Sequence, residues 1–373
     1  YLFYFATLGA LLPYWGLYLR GHGFSAAEIG ELMAILAATK VVAPNLWGWM
    51  ADHTGRRMAI VRAASLLAVI TFAGVFAGSG YWWMAAVMTT FTFFWNAALP
   101  QFEANTLTYL GRQAHRYTHI RVWGSIGFIA ASLGLGPVLD RTGVGLLPWV
   151  VLALMAGIWL ATLAVADRPQ ETHGDGDRSL AAVLRHPAVL ALLVSCFLIQ
   201  GSHGPYYSFY SIRLEDLGYT RTVIGGLWAL GVLAEVVLFL FTHRLIARWG
   251  LRPLFMLTFA LTTLRWVLIA LFATSPTVLV LAQGLHAARC GLYPAVGAQL
   301  LLRPFTGRHQ GRGQALYSSV SFGAGGAVGS FLAGRAWDGL GPEATFLGAA
   351  AATFLGYLVV WRWVAPERPQ AHR

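Results

Sequence analysis

Long apolar runs separated by short polar turns dominate the pattern of this chain. An apolar run of about 20 residues is long enough to span the hydrocarbon core of a bilayer as a helix. Lipid offers no partner for unpaired backbone groups, so only helices and closed barrels can cross it, and runs this long predict helices. We therefore expect twelve membrane helices, at residues 1–19, 28–50, 58–78, 82–108, 119–139, 147–166, 188–212, 222–243, 253–274, 277–302, 314–335 and 344–364.

The composition excludes a soluble protein. Of the 373 residues, 57% are hydrophobic and 11% are charged, with a mean hydropathy of +0.60, whereas soluble domains carry about 25% charged residues. Cys196 and Cys290 fall inside predicted helices without metal or redox spacing, which indicates small packing residues. The chain begins at Tyr1 rather than at methionine, so we expect residues before the first helix to be missing. We predict an all-α integral membrane protein with no metal and no bound cofactor.

The net charge of +11 reflects topology rather than a binding face. With the turn at 48–57 in the cytoplasm, eighteen of the 26 Lys and Arg residues lie on the cytoplasmic side and five on the other, while Lys40, Arg265 and Arg289 fall inside helices. Cytoplasmic loops of membrane proteins carry such an excess of Lys and Arg. We therefore expect a multi-pass protein of the bacterial inner membrane with both termini in the cytoplasm, and no nucleic-acid partner.

The turn between the second and third predicted helices combines two glycines, one acid and paired arginines, namely Gly48, Asp52, Gly55, Arg56 and Arg57. Gly55 allows the backbone to reverse, the arginines hold the turn in the cytoplasm, and Asp52 suits a helix N-terminus. An ordinary cytoplasmic turn needs only the arginines. The full pattern closely resembles the signature loop of major facilitator superfamily transporters, which implies that Asp52 helps to latch two halves of the protein together.

The chain also contains an internal repeat. Gly55-Arg56-Arg57 corresponds to Gly250-Leu251-Arg252 at an offset of 195 residues, although the second copy lacks the acid. A polar linker at 167–187 separates a six-helix unit at 1–166 from another at 188–373. Parallel repeats around an axis along the membrane normal are the layout of major facilitator transporters, which bind substrate between the repeats at mid-membrane. We therefore expect the twelve helices to form two pseudo-symmetric six-helix bundles.

Ionisable residues inside membrane helices are costly unless they are paired or hydrated, so they are candidates for function. Glu103 in the fourth helix and Arg121 in the fifth are the strongest pair. Asn96 lies two helical turns before Glu103 on the same face, and Ser125 and Phe128 share a face with Arg121. We predict that these five residues bind substrate. The alternative is a structural salt bridge that only joins the two helices.

The sequence around this pair resembles the lactose permease branch of the superfamily. The run Pro100-Gln101-Phe102-Glu103, followed eighteen residues later by Arg121-Val122-Trp123-Gly124-Ser125, matches the helix-four and helix-five segment of that branch without a gap. The resemblance implies that Glu103 and Arg121 form the core of the substrate site and that Phe128 stacks on the substrate.

A second group surrounds His286 in the tenth helix. The segment Leu285-His286-Ala287-Ala288 resembles the same branch, whose histidine belongs to the proton-coupling cluster. That branch has a proton-carrying glutamate three residues later, where this chain has Arg289, and Arg265 falls one position from its helix-nine arginine. We predict that His286, Arg289 and Arg265 take part in proton coupling, with a simple packing role for His286 as the alternative.

Glu235 in the eighth helix is the predicted proton carrier in place of that glutamate. It lies deep in a span, on one face with Trp228 and Gly231, and a buried carboxylate can exchange a proton near neutral pH. A fixed pair with an arginine is the alternative. Lys40, midway along the second helix, and the Ala234-Glu235 segment resemble the phenylpropionate permease subgroup, which implies uptake of aromatic carboxylates with a proton.

The charges inside the predicted helices favour an anionic substrate. Four cations against two anions leave an excess of positive charge, which an entering anion would relieve. Lys40 and Arg121 are expected to bind this anion, and Tyr14, His203 and Tyr207 supply aromatic surface for a ring.

We therefore expect a secondary transporter, not an enzyme. We expect it to import a small organic acid, such as an aromatic acid, together with a proton by alternating access. Its partners are the substrate and the lipid bilayer, the proton is the coupling ion, and we expect it to act as a monomer. Two alternatives remain open. One is a proton symporter of a neutral sugar or nucleoside, and the other is a proton-coupled efflux antiporter of drugs or metabolites.

Overall fold

The computed structural model describes residues 1–167, 186–303 and 309–365. Within these ranges every regular element is a helix and no strand forms, so the predicted all-α class is confirmed. The predicted linker falls almost entirely outside the described residues, as do the side chain of Cys290 and the predicted cytoplasmic end of the chain after residue 365. Cys196 is buried in the bundle as a free cysteine.

Six helices form the first half, with bounds close to the predicted ones. They are α1 Leu2–Gly21, α2 Ala26–Thr54, α3 Arg57–Phe72, α4 Tyr81–Leu110, α5 Tyr117–Thr142 and α6 Leu147–Leu163. A capping box fixes the start of α2, because the Ser25 hydroxyl accepts a bond from the Glu28 amide while the Glu28 carboxylate accepts one from the Ser25 amide.

Among the described residues from 186 onward, six further helices form the second half, in the same order along the chain as the first six. They are α7 Pro187–Asp216, α8 Arg221–Trp249, α9 Leu251–Phe272, α10 at 276–302, α11 at 309–340 and α12 at 342–363. Gly341, at φ 86° and ψ 169°, separates α11 from α12 in a conformation that glycine adopts readily. Two π-helical turns were not predicted, at Ala288–Leu292 in α10 and at Ser319–Gly325 in α11.

The outer surface of the bundle suits lipid. Eight helical segments of the described chain are long and apolar enough to cross a membrane, and one of them, Gly313–Trp363, contains most of α11 and all of α12. The large apolar side chains of Trp82, Leu240 and Leu281 are each more than half exposed on this surface. Lipid rather than water is the solvent that such a surface requires.

The two halves meet closely at the end of the bundle opposite the 48–57 turn, which we call the distal end. A Cβ on Gly30 of α2 would lie 2.6 Å from Cα of Gly334 in α11. A Cβ on Gly136 of α5 would lie 2.7 Å from Cα of Thr222 in α8. Residues without side chains let helix backbones approach this closely, so glycine sets the contact between the halves.

Polar contacts reinforce the closure of the distal end. Arg20 of α1 donates to Asp216 at the end of α7, at 2.5 Å. Asp140, near the end of α5, accepts bonds from the backbone amides of Arg221 at 2.8 Å and Thr222 at 3.0 Å in the first turn of α8. A carboxylate is stabilised at a helix N-terminus by the unpaired amides and the helix dipole. The protein is therefore closed at its distal end.

Candidate functional site

The turn at 48–57 takes the predicted reversal. Gly55 caps α2 with a φ of 65°, in the left-handed region, and Gly48 packs beside Gln101 of α4. Asp52 accepts a bond from Arg57 Nη2 at 2.7 Å, and its side chain is 66% exposed. The acid thus bonds within its own turn, and its role in latching the halves stays a prediction, as does the role of the neighbouring Arg56.

The predicted pair between α4 and α5 forms. Arg121 Nε lies 3.9 Å from Glu103 Oε1, and the two side chains are 32% and 39% exposed. The hydroxyl of Tyr117 donates to the same carboxylate oxygen at 3.2 Å. Partial exposure distinguishes this pair from a dry structural bridge and leaves part of both charged groups accessible.

Aromatic rings of α1 hold the guanidinium of Arg121. Its Cζ lies 3.9 Å from the ring centre of Phe5 and 5.9 Å from that of Tyr1, and a cation over a ring face is attracted to it. The sequence reasoning missed Tyr1, Phe5 and Tyr117. Tyr117 could have been identified from the sequence, because it precedes Arg121 by four residues and so shares its helix face.

Asn96 and Phe128 lie away from the Glu103–Arg121 pair. Asn96 is buried and donates to the Thr39 hydroxyl at 2.8 Å, which joins α4 to α2. Phe128 is buried where α5 crosses α1, and its carbonyl oxygen would lie 2.4 Å from a Cβ on Gly9. Ser125 is half-buried one turn after Arg121. Asn96 and Phe128 are therefore packing positions, whereas Ser125 keeps a partly accessible hydroxyl.

Two predicted aromatic contacts lie in tightly packed regions. Tyr14 is fully buried, and its hydroxyl donates to the carbonyl of Ser132 at 2.6 Å, which places it in the distal closure. His203 is fully buried in the second half, with Nδ1 2.9 Å from the carbonyl oxygen of Ile199 and its ring 4.7 Å from that of Trp266. In this conformation neither residue has a face open to a substrate.

Arg265 is fully buried in the second half and is held by neutral groups. It donates to the Ala282 carbonyl and to the Gln283 side chain, both at 3.1 Å. Its guanidinium also lies 4.2 Å from the ring centre of Tyr206 and 4.5 Å from that of Trp266. Rings and neutral acceptors stabilise this cation, so the structure gives it a packing environment, and a coupling role for it stays a prediction.

His286 packs one turn after Gln283 on the same helix. It is 5% exposed, and its Cδ2 would lie 3.1 Å from a Cβ on Gly231 of α8. Its ring centre is 5.6 Å from that of Tyr206. Gly231 therefore provides the space in which the imidazole lies against α8, the helix of Glu235.

Arg289 lies in the π-helical turn of α10 and reaches across to α7. It is 4% exposed and donates to the side chain of Gln200 and to the Tyr207 hydroxyl, the latter at 3.3 Å. Its guanidinium is 5.7 Å from the ring centre of Tyr293 and 5.9 Å from that of Phe322. The sequence reasoning missed Gln200, whose only signal was a side-chain amide inside an apolar run.

Glu235 of α8 is within electrostatic reach of cations of both halves. Its side chain is half-buried, and the charges of Arg121 on α5 and Arg289 on α10 both act on it. Lys40 on α2 is half-buried as well and lies within the field of Arg289. Lys40, Arg121, Glu235 and Arg289 are thus connected by their electrostatic fields across the two halves, and we call these four residues the central site.

Comparisons with known proteins agree with the all-helical membrane fold. The sequence profile of the MFS_1 like family matches residues 1–348. The chain is 28% identical over 350 residues to a probable 3-phenylpropionic acid transporter of Escherichia coli strain K12, covering 91% of this chain and 90% of that protein. It is 28% identical over 374 residues to the maltose permease of Geobacillus stearothermophilus, covering 99% and 94%. A crystal structure of a mutant of the nucleoside transporter NupG shares the fold, with a TM-score of 0.86 over 98% of each chain at 16% identity.

Proposed function

We propose that this chain, which belongs to the MFS_1 like family and is a membrane transporter rather than an enzyme, imports a small organic acid together with a proton. We propose that this acid carries an aromatic ring. The observation that carries the proposal is the central site itself, where the charges of Arg121 and Arg289 act on Glu235 and Lys40 lies within the field of Arg289. The name of the phenylpropionic acid relative supports the same class of substrate.

The excess of positive charge explains why an anion would bind. A cation in a region of low dielectric is costly, and a substrate carboxylate lowers that cost when it enters. Arg121 can bind a carboxylate through two parallel N–H···O bonds, while Glu103, which accepts a bond from Tyr117, holds its guanidinium in place. Lys40 supplies a second positive charge from α2.

Glu235 is the proposed proton carrier, with His286, which packs against α8 at Gly231, as a proton relay. The Glu235 carboxylate attracts Arg121 and Arg289 while it is ionised. Once it takes up a proton, that attraction ends and both guanidinium groups can bind the substrate's carboxylate more strongly. Proton uptake and anion binding would then favour each other, which is the requirement for symport.

Alternating access would deliver the substrate to the interior. The described conformation is closed at the distal end, which by the predicted topology faces outward. Opening of the distal end would admit the acid, and its closure would precede release toward the cytoplasm. We propose that one chain in the inner membrane performs this cycle, with both termini in the cytoplasm.

Replacement of Arg121 tests the binding role. We expect Arg121→Ala to reduce counterflow of labelled 3-phenylpropionate in proteoliposomes by at least about 30-fold, since loss of one partner of a hydrogen-bonded charge pair costs about 2–5 kcal/mol. Arg116→Ala is the matched control, because Arg116 is an exposed arginine just before α5, and it should transport normally. Full transport by Arg121→Ala would contradict the binding role.

A neutral sugar is the second candidate, favoured by the similarity to maltose permease. The two candidates make opposite predictions for Lys40→Ala. An acid should bind at least about tenfold more weakly to this variant, because a charge-assisted bond is lost, whereas a sugar should bind equally well. Calorimetric titration of the purified protein with 3-phenylpropionate and with maltose would separate the two candidates.

A further inference from the structure

A pocket of about 220 Å³ lies inside the first half, at the end of the bundle that carries the 48–57 turn. Its walls come from the start of α1, the start of α3, the last third of α4, the start of α5 and the end of α6. None of the described residues that line it belongs to the second half or to the central site. This pocket, which we call the first-half pocket, is therefore formed by one half alone.

Most of the lining of the first-half pocket is apolar. The rings of Tyr1, Tyr4 and Phe102 lie beside one another in it, with the ring centre of Phe102 6.4 Å from each of the other two. Met58 and Ile158 add aliphatic surface, and none of the described lining residues has a charged side chain. An engineered apolar cavity of about 150 Å³ binds benzene. The first-half pocket thus has room for a small ring, and its lining disfavours a charged molecule.

The side-chain amide of Asn105 gives the pocket an unused hydrogen-bond acceptor. Asn105 is 5% exposed, and its Nδ2 donates to the carbonyl of Ala166 at 3.5 Å, but its Oδ1 has no partner among the described residues. Three of the four hydroxyl groups in the lining already donate within the protein, Tyr1 to Thr106, and Thr106 and Thr162 to backbone carbonyls. A buried acceptor without a donor costs free energy, so a molecule that donates a hydrogen bond would complement the pocket.

We propose that the first-half pocket binds a small, uncharged aromatic molecule whose N–H or O–H group donates to Oδ1 of Asn105, as the N–H of an indole would. The ring would bury apolar surface against the aromatic lining. A bound water needs about two to four polar partners, which the apolar lining does not favour, and a lipid chain has no donor for the amide. The site does not depend on acid transport, because it uses no residue of the central site.

Tyr1 connects the first-half pocket with the Glu103–Arg121 pair. Its ring lines the pocket, and the centre of that ring lies 5.9 Å from Cζ of Arg121 and 6.4 Å from the ring centre of Tyr117. A molecule in the pocket would therefore contact a ring that also contacts Arg121. Any effect of this molecule on acid binding must be matched by an equal effect of the acid on its own binding.

Calorimetric titration of the full chain in nanodiscs tests the site, with empty nanodiscs to account for partition into lipid. Indole is the probe, and indene, which has a methylene group in place of the N–H, is its matched control. Indole should bind at least about fivefold more tightly than indene, since only indole pairs the Asn105 acceptor. In Asn105→Leu, which removes that acceptor, the two should bind equally well. Equal binding by the unsubstituted protein, or no saturable binding of indole, would overturn the proposal.

Filling the pocket provides a second test that does not depend on Asn105. Ala161 of α6 lines the pocket, whereas Ala153 is an exposed alanine of the same helix outside it. Ala161→Phe should abolish indole binding, and Ala153→Phe should leave it unchanged. Undiminished indole binding by Ala161→Phe would refute the site.

Competition separates the first-half pocket from the central site. Increasing concentrations of 3-phenylpropionate should bring the apparent Kd of indole to a plateau, because the two molecules bind at different places. An apparent Kd that keeps rising in proportion to the acid would place indole at the acid's own site and contradict the proposal. If the protein binds no aromatic acid at all, the proposed function fails, while the indole preference that depends on Asn105 should still be measured.

Discussion

Gly225→Val is expected to abolish transport by preventing closure of the distal end, while Gly226→Val is expected to leave transport nearly unchanged. A Cβ on Gly225 of α8 would lie 2.1 Å from the carbonyl oxygen of Ser132 in α5 and 2.1 Å from the hydroxyl of Tyr14 in α1. The backbone cannot move aside as a flexible side chain would, so the helices must separate. Gly226 has no atom within 4 Å of a Cβ at its position, which makes it a matched control on the same helix.

The size of the effect follows from the closeness of this contact. Overpacking of a close contact typically costs about 1–3 kcal/mol, and about 1.4 kcal/mol changes a conformational equilibrium tenfold. Several bonds at this end, including those of Asp140 to the first turn of α8, depend on the same approach of the helices. We therefore expect the variant to favour the form that is open at the distal end.

Alkylation measures this shift directly. Ser208 of α7 is 3% exposed, and its carbonyl lies 2.6 Å from the position of a Cβ on Gly16 of α1. A Ser208→Cys reporter should be protected from a membrane-impermeant maleimide in the parent protein and in Gly226→Val. It should react at least about tenfold faster in Gly225→Val. Continued protection together with normal transport would show that this crossing does not open during the cycle.

Glu235→Gln is expected to remove accumulation driven by a pH gradient while counterflow continues. Glutamine cannot take up or release a proton, yet it resembles the protonated carboxyl group in size and charge. The variant should therefore bind the acid and exchange it across the membrane without coupling the exchange to protons. One pH unit corresponds to about 1.4 kcal/mol per proton, so a gradient of about two units could support accumulation up to about 100-fold in the parent, against about onefold in Glu235→Gln.

Labelled 3-phenylpropionate in proteoliposomes provides the measurement. Liposomes without protein account for passive diffusion of the undissociated acid. Glu103→Gln is the matched carboxyl control, since Glu103 contacts Arg121 at 3.9 Å and is proposed to position it. That variant should bind more weakly but still accumulate substrate at saturation. Accumulation by Glu235→Gln equal to that of the parent would assign proton transfer to another group.

The helices of this fold could be predicted because the backbone hydrogen bonds that require them are local in the chain. In lipid each backbone amide and carbonyl must be satisfied within its own helix, so apolar runs alone located α5 and α9 to within about three residues. The reversal at Gly55 was also predictable, since a left-handed φ of 65° favours glycine. The π-helical turn at Ala288–Leu292 was not, because its widened hydrogen bonding depends on what α10 packs against.

The candidate site was only partly predictable. Glu103 and Arg121 form the predicted pair. They lie on consecutive antiparallel helices, and the short turn between these helices keeps the two residues close. Arg265 carries the same charge as Arg289 and lies on a neighbouring helix, yet it is enclosed by rings and neutral acceptors. A helical pattern shows which residues share a face but not which way that face turns. Arg289 and Lys40 came together only through packing.

The sequence by itself predicted an all-α membrane protein of twelve helices in two repeated halves, with an excess of cations inside its helices. Those features follow from the thickness of the lipid and the cost of charge within it. Only the tertiary structure decided which charges share the central site and that the distal end is closed. The physical reason is that helix rotation and crossing depend on contacts between residues far apart in the chain, such as Gly30 against Gly334.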